Sequence, residues 1–242
     1  MLISIIIPAF NEERLLGGTL SAVKAAAEPV FTGARWQYEV IVCDNNSTDK
    51  TAGIASTAGA QVVFEPKNQI GRARNSGAAA AKGNWLIFID ADSQPNVGLF
   101  REVVAAIASG RALAGGSTVR LDIRHPAGVF IVSLWNGISR GFRMLAGSFI
   151  FCEASAFRQV GGFSTELYVA EELDLTVKLK RLARAQGKKL VILHRHPLVT
   201  SGRKMHLYTS LEHGRFLLKA VFGGRRVLTN RETCHTWYDG RR

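Results

Sequence analysis

The segment Trp85–Asp92 reads WLIFIDAD, an unbroken apolar run that stops at two carboxylates. A short run of this kind, ended by acid, fits a strand buried on both faces, as in a parallel sheet covered by helices. In such sheets ligands bind outside the carboxyl ends of the strands, which puts Asp90 and Asp92 where the chemistry is expected. Two residues apart on an extended segment, they point to the same side. Like charges so close need a cation, or donors from a ligand, to offset them. Mg²⁺ or Mn²⁺ bridging to a phosphate would do so. The plainer alternative is a strand end followed by a Ser-Gln-Pro-Asn turn, with the aspartates acting only as turn and cap residues.

Strand-like and helix-like segments alternate on either side of this run. Leu2–Ile7, Glu39–Cys43 and Gln61–Phe64 read as strands. Asn11, with Glu12 and Glu13, opens a helix carrying Leu15, Leu16, Leu20 and Val23, since Asn caps well and acids suit a helix N-terminus. Ser47 or Asp49 caps a helix over Thr51–Ala58, and Gly71–Ala81 and Val97–Ala108 form two more. This order implies an α/β fold with a mostly parallel sheet and right-handed crossovers. Beyond the strand-like run Ala114–Leu121 the pattern loosens. It gives an amphipathic stretch over 126–145, a strand over Ser148–Cys152, a turn of helix over Ala154–Gln159, a helix over Leu173–Ala185 and a strand over Lys189–Leu193. We divide the chain into one domain over 1–204, with halves 1–121 and 122–204, and a basic tail over 205–242 that reads as helical from Met205 to about Phe222.

The 242 residues, 47% hydrophobic and 21% charged, suffice for one large core. No apolar run is long enough to span a bilayer, and MLISIIIPAFNEE reads as a first strand rather than a leader. Three widely spaced cysteines suit a reducing, cytoplasmic setting. The net charge of +12 is uneven: residues 176–242 carry 16 Lys/Arg against 3 Asp/Glu, while 1–175 carry 15 against 16. Such asymmetry suggests an anionic partner, either phosphate, an acidic lipid surface or nucleic acid, or else a solvated face that aids solubility.

Polar residues gather at three strand ends: PAFNE after the first, DNNSTD after the second and DAD after the fourth. Side by side they make a crevice rich in acceptors, matched to the imide or amide N–H of a base, ribose hydroxyls and a metal on phosphates. Neither G-x-G-x-x-G nor G-x-x-x-x-G-K-[ST] follows the first strand, which weakens dehydrogenase and NTPase readings. The segments IIIPAFNEE, VIVCDNNSTDKT, GRARN and WLIFIDADS, with VGGFSTEL and AEELDL later, together resemble family 2 glycosyltransferases of the GT-A fold in order and spacing, over residues 3 to 204.

That resemblance implies an inverting transferase acting on a nucleoside-diphosphate sugar of UDP or GDP type, with Mg²⁺ or Mn²⁺ stabilising the departing diphosphate. It implies that Pro8, Ala9, Phe10 and Glu12 line the nucleotide-sugar pocket, that Asp44 bonds the base, and that Arg74 holds base or phosphate. In the Asp90-Ala91-Asp92 segment it puts Asp90 by the ribose and Asp92 on the metal. Glu12 could be only a first-turn acid, and Arg74 only a surface helix residue. Inversion needs a base opposite the leaving group, and Glu172 stands where the family usually has Asp, with Glu171 and Asp174 as alternates. Pro197 to Arg203 resembles an arrangement in polyprenyl-phosphate sugar synthases that brings such an Arg to phosphate. His194, or His196, is a candidate late metal ligand, or a surface histidine beside a basic loop.

The expected acceptor is a glycan, a small molecule or a lipid phosphate. A Trp-bearing stretch at 126–145, flanked by Arg140 and Arg143, and the basic tail suit peripheral contact with the anionic inner face of a membrane; packing on the sheet or a dimer interface explains the stretch equally. Two rivals remain. A nucleotide-sugar pyrophosphorylase would need a Gly-rich loop that PAFNEE lacks. A nucleic-acid-binding protein would use the basic tail, in which no known module is visible, so nucleic acid is not the expected partner.

Overall fold

The computed structural model describes residues 1–123, 126–203 and 228–229. The expected helix in the tail from Met205 to Phe222, and the boundary at 204, lie outside the described residues. An eight-stranded sheet has the order β3-β2-β1-β4-β7-β6-β8-β5. Its strands are β1 (Leu2–Ala9), β2 (Gln37–Asp44), β3 (Gln61–Phe64), β4 (Trp85–Ile89), β5 (Ser93–Gln94), β6 (Ala112–Leu121), β7 (Phe149–Glu153) and β8 (Lys189–Thr200). The helices are α1 (Leu16–Gly33), α2 (Thr51–Thr57), α3 (Ile70–Ala80), α4 (Val97–Ala108), α5 (Pro126–Phe142), α6 (Ala154–Gln159) and α7 (Glu171–Ala185). β3, β2, β1 and β4 run parallel, as does β6 with β8, while β7 is antiparallel to both β4 and β6.

β4 is apolar throughout, and β1 nearly so with Ser4 the exception, because both faces of each are covered. Alternate residues serve opposite layers. Ile3, Ile5 and Ile7 join Leu16, Leu20 and Phe31 of α1 and Leu99, Phe100 and Val103 of α4. Ile6, Leu86 and Phe88 face the other way, onto Ala78, Phe157, Leu175 and Leu179 of α3, α6 and α7. Gly77 lets α3 lie close on β1, since a Cβ there would sit 2.5 Å from Ile6 Cγ2.

Three local outcomes differ from the sequence pattern, and all three shape the crevice. α1 begins at Leu16, not at Asn11. Asn11 has φ +52° and its side chain accepts from Thr48 N at 2.8 Å, so residues 10–15 form a turn stitched to the loop after β2. α7 starts at Glu171, after Ala170 at φ +67°, which brings the whole acidic cluster into its first turn. β8 runs on to Thr200 because Leu198–Thr200 pair with Val119–Leu121 past a bulge, and Val199 and Thr200 also pair with β5. The sheet thus curls until the chain just past β4 meets its far edge.

Candidate active site

The floor of the site is a set of zipped loops. Ala9 pairs with Asp44 at the carboxyl ends of β1 and β2, and Asn45 N donates to Ala9 O at 2.7 Å. Asn11 N donates to Ser47 Oγ at 3.0 Å, Glu12 N to Thr51 Oγ1 at 2.8 Å and Glu13 N to Asp49 Oδ2 at 3.1 Å. Pro8 and Ala9 are buried and Phe10 half-buried. The buried Asp44 accepts from Ser47 N at 3.2 Å. Sequence reading named no role for Asn45, yet its side chain bonds Glu65 O, Lys67 O and Gln69 N, joining β2 to the start of α3.

The Asp-Ala-Asp segment is anchored by its middle residue. Ala91 is 4% exposed and its carbonyl accepts from Thr19 Oγ1 at 2.7 Å. The two acids separate. Asp90, its side chain 29% exposed, accepts from Arg74 Nη2 at 2.9 Å. Asp92, 12% exposed, lies 3.4 Å from Arg203 Nη2 and 3.5 Å from Thr200 Oγ1. Arg203 also donates to Glu12, so one guanidinium spans the loop after β1 and the loop after β4. The extension of β8 delivers Arg203 here, with Ser201 N donating to Asp92 O at 3.1 Å.

Arg74 is the centre of the other side. It is 1% exposed, and its guanidinium donates to Glu171 Oε1 at 2.6 Å, Asp90 Oδ1 at 2.9 Å and Gly147 O at 2.9 Å, with Phe163 stacked 5.1 Å away. Glu172 is beside it: a Cβ on Gly147 would lie 3.1 Å from Arg74 Nη2 and 3.7 Å from the Glu172 carboxyl carbon. Burial acts to lower the Arg74 pKa, but Asp90, Glu171 and Glu172 raise it further and keep the group charged. One cation cannot neutralise three carboxylates. Burial, and then the charge of Glu171, push Glu172 up to about 8. Glu171, which holds the direct short bond to Arg74, is also raised by burial, against the pull of that guanidinium.

Asp174, in the same first turn of α7, is paired with Lys178 at 2.7 Å. His194 is exposed on the middle of β8 with Nδ1 3.4 Å from Ile192 O, and His196 pairs with Glu102 of α4 at 2.8 Å. The ring contacts of both histidines go to residues other than Asp92. Two further side chains tie the halves together: Gln69 Nε2 donates to Thr165 O and Leu167 O, both at 2.9 Å, and Asn75 bonds Phe163 O at 2.9 Å and Phe163 N at 3.0 Å. Asn75 sits in the GRARN segment, so the sequence held the residue without its role; nothing in the sequence marked the Gly147 carbonyl.

Residues 4–126 match Glycosyl transferase family 2. The chain belongs to that family. An uncharacterized glycosyltransferase of Mycobacterium tuberculosis is 36% identical to this family 2 chain over 114 residues, 47% of each protein. The glycosyltransferase AglE of Haloferax volcanii is 33% identical over 133 residues, 52% of this chain and 41% of its own. The chain therefore spans about half the length of the curated relatives it matches. Among solved structures, S. aureus TarS 1–349 in complex with UDP-GlcNAc superposes with a TM-score of 0.66 at 20% identity, over 98% of this chain and 69% of that one. The mannosyltransferase PcManGT of Pyrobaculum calidifontis, in complex with GDP-Man and Mn²⁺, gives 0.66 at 18% identity over 93% and 60%. At these identities the likeness establishes a shared GT-A fold.

Proposed function

We propose that the chain is the catalytic domain of an inverting glycosyltransferase, which moves a sugar from a UDP- or GDP-type donor to a hydroxyl acceptor or a lipid phosphate. The observation that supports this reading is that Arg74 bonds both Asp90, two residues before Asp92, and Glu171, next to Glu172, and so sets two unlike carboxylate groups side by side. Asp92 with Arg203 forms one, and Glu172, raised to about 8 beside Arg74, forms the other. Asp44, at the end of β2, takes the base, with Pro8, Ala9 and Phe10 beside it; Asp90 takes the ribose side. Arg203 leaves Glu12 for the diphosphate, where its fork matches phosphate oxygens. Glu172 accepts the proton of the acceptor hydroxyl. Glu171 and Arg74 hold that carboxyl in place.

Asp92 would hold Mg²⁺ or Mn²⁺, which when bound supplies charge stabilisation to the leaving diphosphate. The donor set suits such an ion, since hard cations of this kind take one or two carboxylates and complete their shell from phosphate and water. Among the described residues no group of three His, Cys, Asp or Glu side chains forms a cage of its own. Cys43 and Cys152, both buried free thiols, fit a cytoplasmic setting. A thermal-shift panel of UDP-, GDP-, CDP- and dTDP-sugars, with and without Mn²⁺, tests the reading. A donor at 100 times its dissociation constant adds about 2.7 kcal/mol of stability. We expect one base to stabilise, more so with metal, and the Asp92→Asn protein to lose the metal-dependent part. A flat response to every nucleotide overturns the reading.

A further inference from the structure

Helix α5 turns one face to the sheet and leaves the other bare. Val132 and Trp135 pack on the core, and the Asn136 side chain bonds both Val119 N, at 3.0 Å, and Val119 O, at 2.8 Å. On the opposite face Phe130, Leu134, Ile138 and Phe142 recur at every fourth residue and are 69, 58, 40 and 70% exposed. Val129 and Ile131 widen the stripe. Contiguous exposed apolar surface of this kind marks an interaction site.

Charge identifies the partner. Residues 126–143 contain no Asp or Glu, and Arg140 and Arg143 stand exposed at the end of the stripe. They border an open cavity of about 280 Å³ whose other charged or titratable lining groups are Lys189 and His194. Residues 176–203 contain eight Lys/Arg and no carboxylate, of which Lys178, Lys188 and Arg203 are paired with Asp174, Glu153 and Glu12. We propose that α5 docks in the plane of an anionic phospholipid bilayer, its stripe at the acyl boundary and the arginines and basic cavity on the headgroup phosphates. A second copy of the chain would bring the same uncompensated arginines to the face. Residues 204–242 are themselves basic, with eight Lys/Arg against three Asp/Glu. Neither supplies complementary charge. Among the described residues no helix is long and apolar enough to cross a membrane, so α5 lies along the surface. Its end is a few residues from Gly147, whose carbonyl meets Arg74, so docking holds the Glu172 side of the crevice against the lipid. This inference goes beyond the transfer reaction, and its test does not depend on turnover.

The test is flotation of the full chain with vesicles of equal parts phosphatidylcholine and phosphatidylglycerol, against phosphatidylcholine alone. The variant Leu134→Ser/Ile138→Ser/Phe142→Ser removes apolar surface and leaves every charge, including those of the tail, in place. Circular dichroism and Tm verify its fold. We expect the parent to partition to the anionic vesicles, less so at high salt, and the triple-serine variant to lose about tenfold or more of that partitioning. Arg140→Gln/Arg143→Gln should weaken it too. The inference is overturned if the parent ignores anionic vesicles, if the triple-serine variant partitions as the parent does, or if sedimentation shows a dimer that the serines dissociate while vesicles bind neither protein.

Discussion

Arg74 and Glu171, 97 positions apart in the chain, meet at 2.6 Å with both side chains almost wholly buried. The same guanidinium reaches Asp90, so a single residue on α3 joins the end of β4 to the first turn of α7. Removing one partner of a buried ion pair leaves an uncompensated charge. Arg74→Ala should therefore cost about 3–5 kcal/mol in urea unfolding. Arg74→Lys keeps the charge but not the planar fork, and should recover only part of it.

Glu172 must be ionised to accept a proton. With its pKa pushed up to about 8, kcat/KM should rise with pH up to about 8 and level off above. Glu172→Gln should abolish that limb and lower kcat by about 10²–10⁴-fold. Stability moves the other way. The folded protein holds a proton that the unfolded chain has already released, so between the ordinary value of 4.5 and about 8 the contribution of Glu172 to stability falls as pH rises. The stability gap between Glu172→Gln and the parent should grow over that window and stay flat outside it, as read by urea titration at several pH values.

Arg203 links Glu12 and Asp92, and a diphosphate offers it stronger acceptors. Losing one hydrogen bond to a charged group costs about 1.5–3 kcal/mol. Arg203→Ala should accordingly weaken nucleoside-diphosphate binding roughly ten- to hundredfold by calorimetry, and should also lower Tm in the absence of nucleotide, because the buried Glu12 carboxylate loses its guanidinium partner.

Asn75 satisfies both backbone groups of Phe163, at 3.0 and 2.9 Å. Asn75→Ala should cost about 1–3 kcal/mol. Asn75→Asp keeps the acceptor and loses the donor, so its unfolding midpoint in urea should fall between those of the parent and the alanine variant.

β1 and β4 were legible because both their faces are buried: Trp85–Ile89 is wholly apolar and Leu2–Ile7 is interrupted only by Ser4. The segments that form the crevice were legible as motifs. What they touch was not. GRARN suggested a group for a ligand, whereas Arg74 is 1% exposed and bonded within the protein. A helix pattern shows only that residue 74 faces inward; its partners come from the end of β4 and the first turn of α7, 16 and 97 positions away. The length of β8 was missed because His194, Arg195, His196 and Pro197 look like a loop; they fill the irregularity between the Leu193 and Leu198 pairings, and the strand resumes at Leu198 only because β6 and β5 are there to pair with it.

The place of β7 has a consequence for how such a chain can change. Coming from the second half, it lies between β4 and β6, so the middle of the sheet is shared property of both halves. An excised 1–126 piece, the span that carries the family match, would expose the free edge of β4 and strand Arg74 without Glu171 or the Gly147 carbonyl. Transplanting a donor half onto a foreign acceptor half thus requires the new partner to supply a strand in that slot and an acid and a carbonyl at two fixed points. The outer face of α5 lies clear of those demands, which makes it a part where a new acceptor can be accommodated without dismantling the fold.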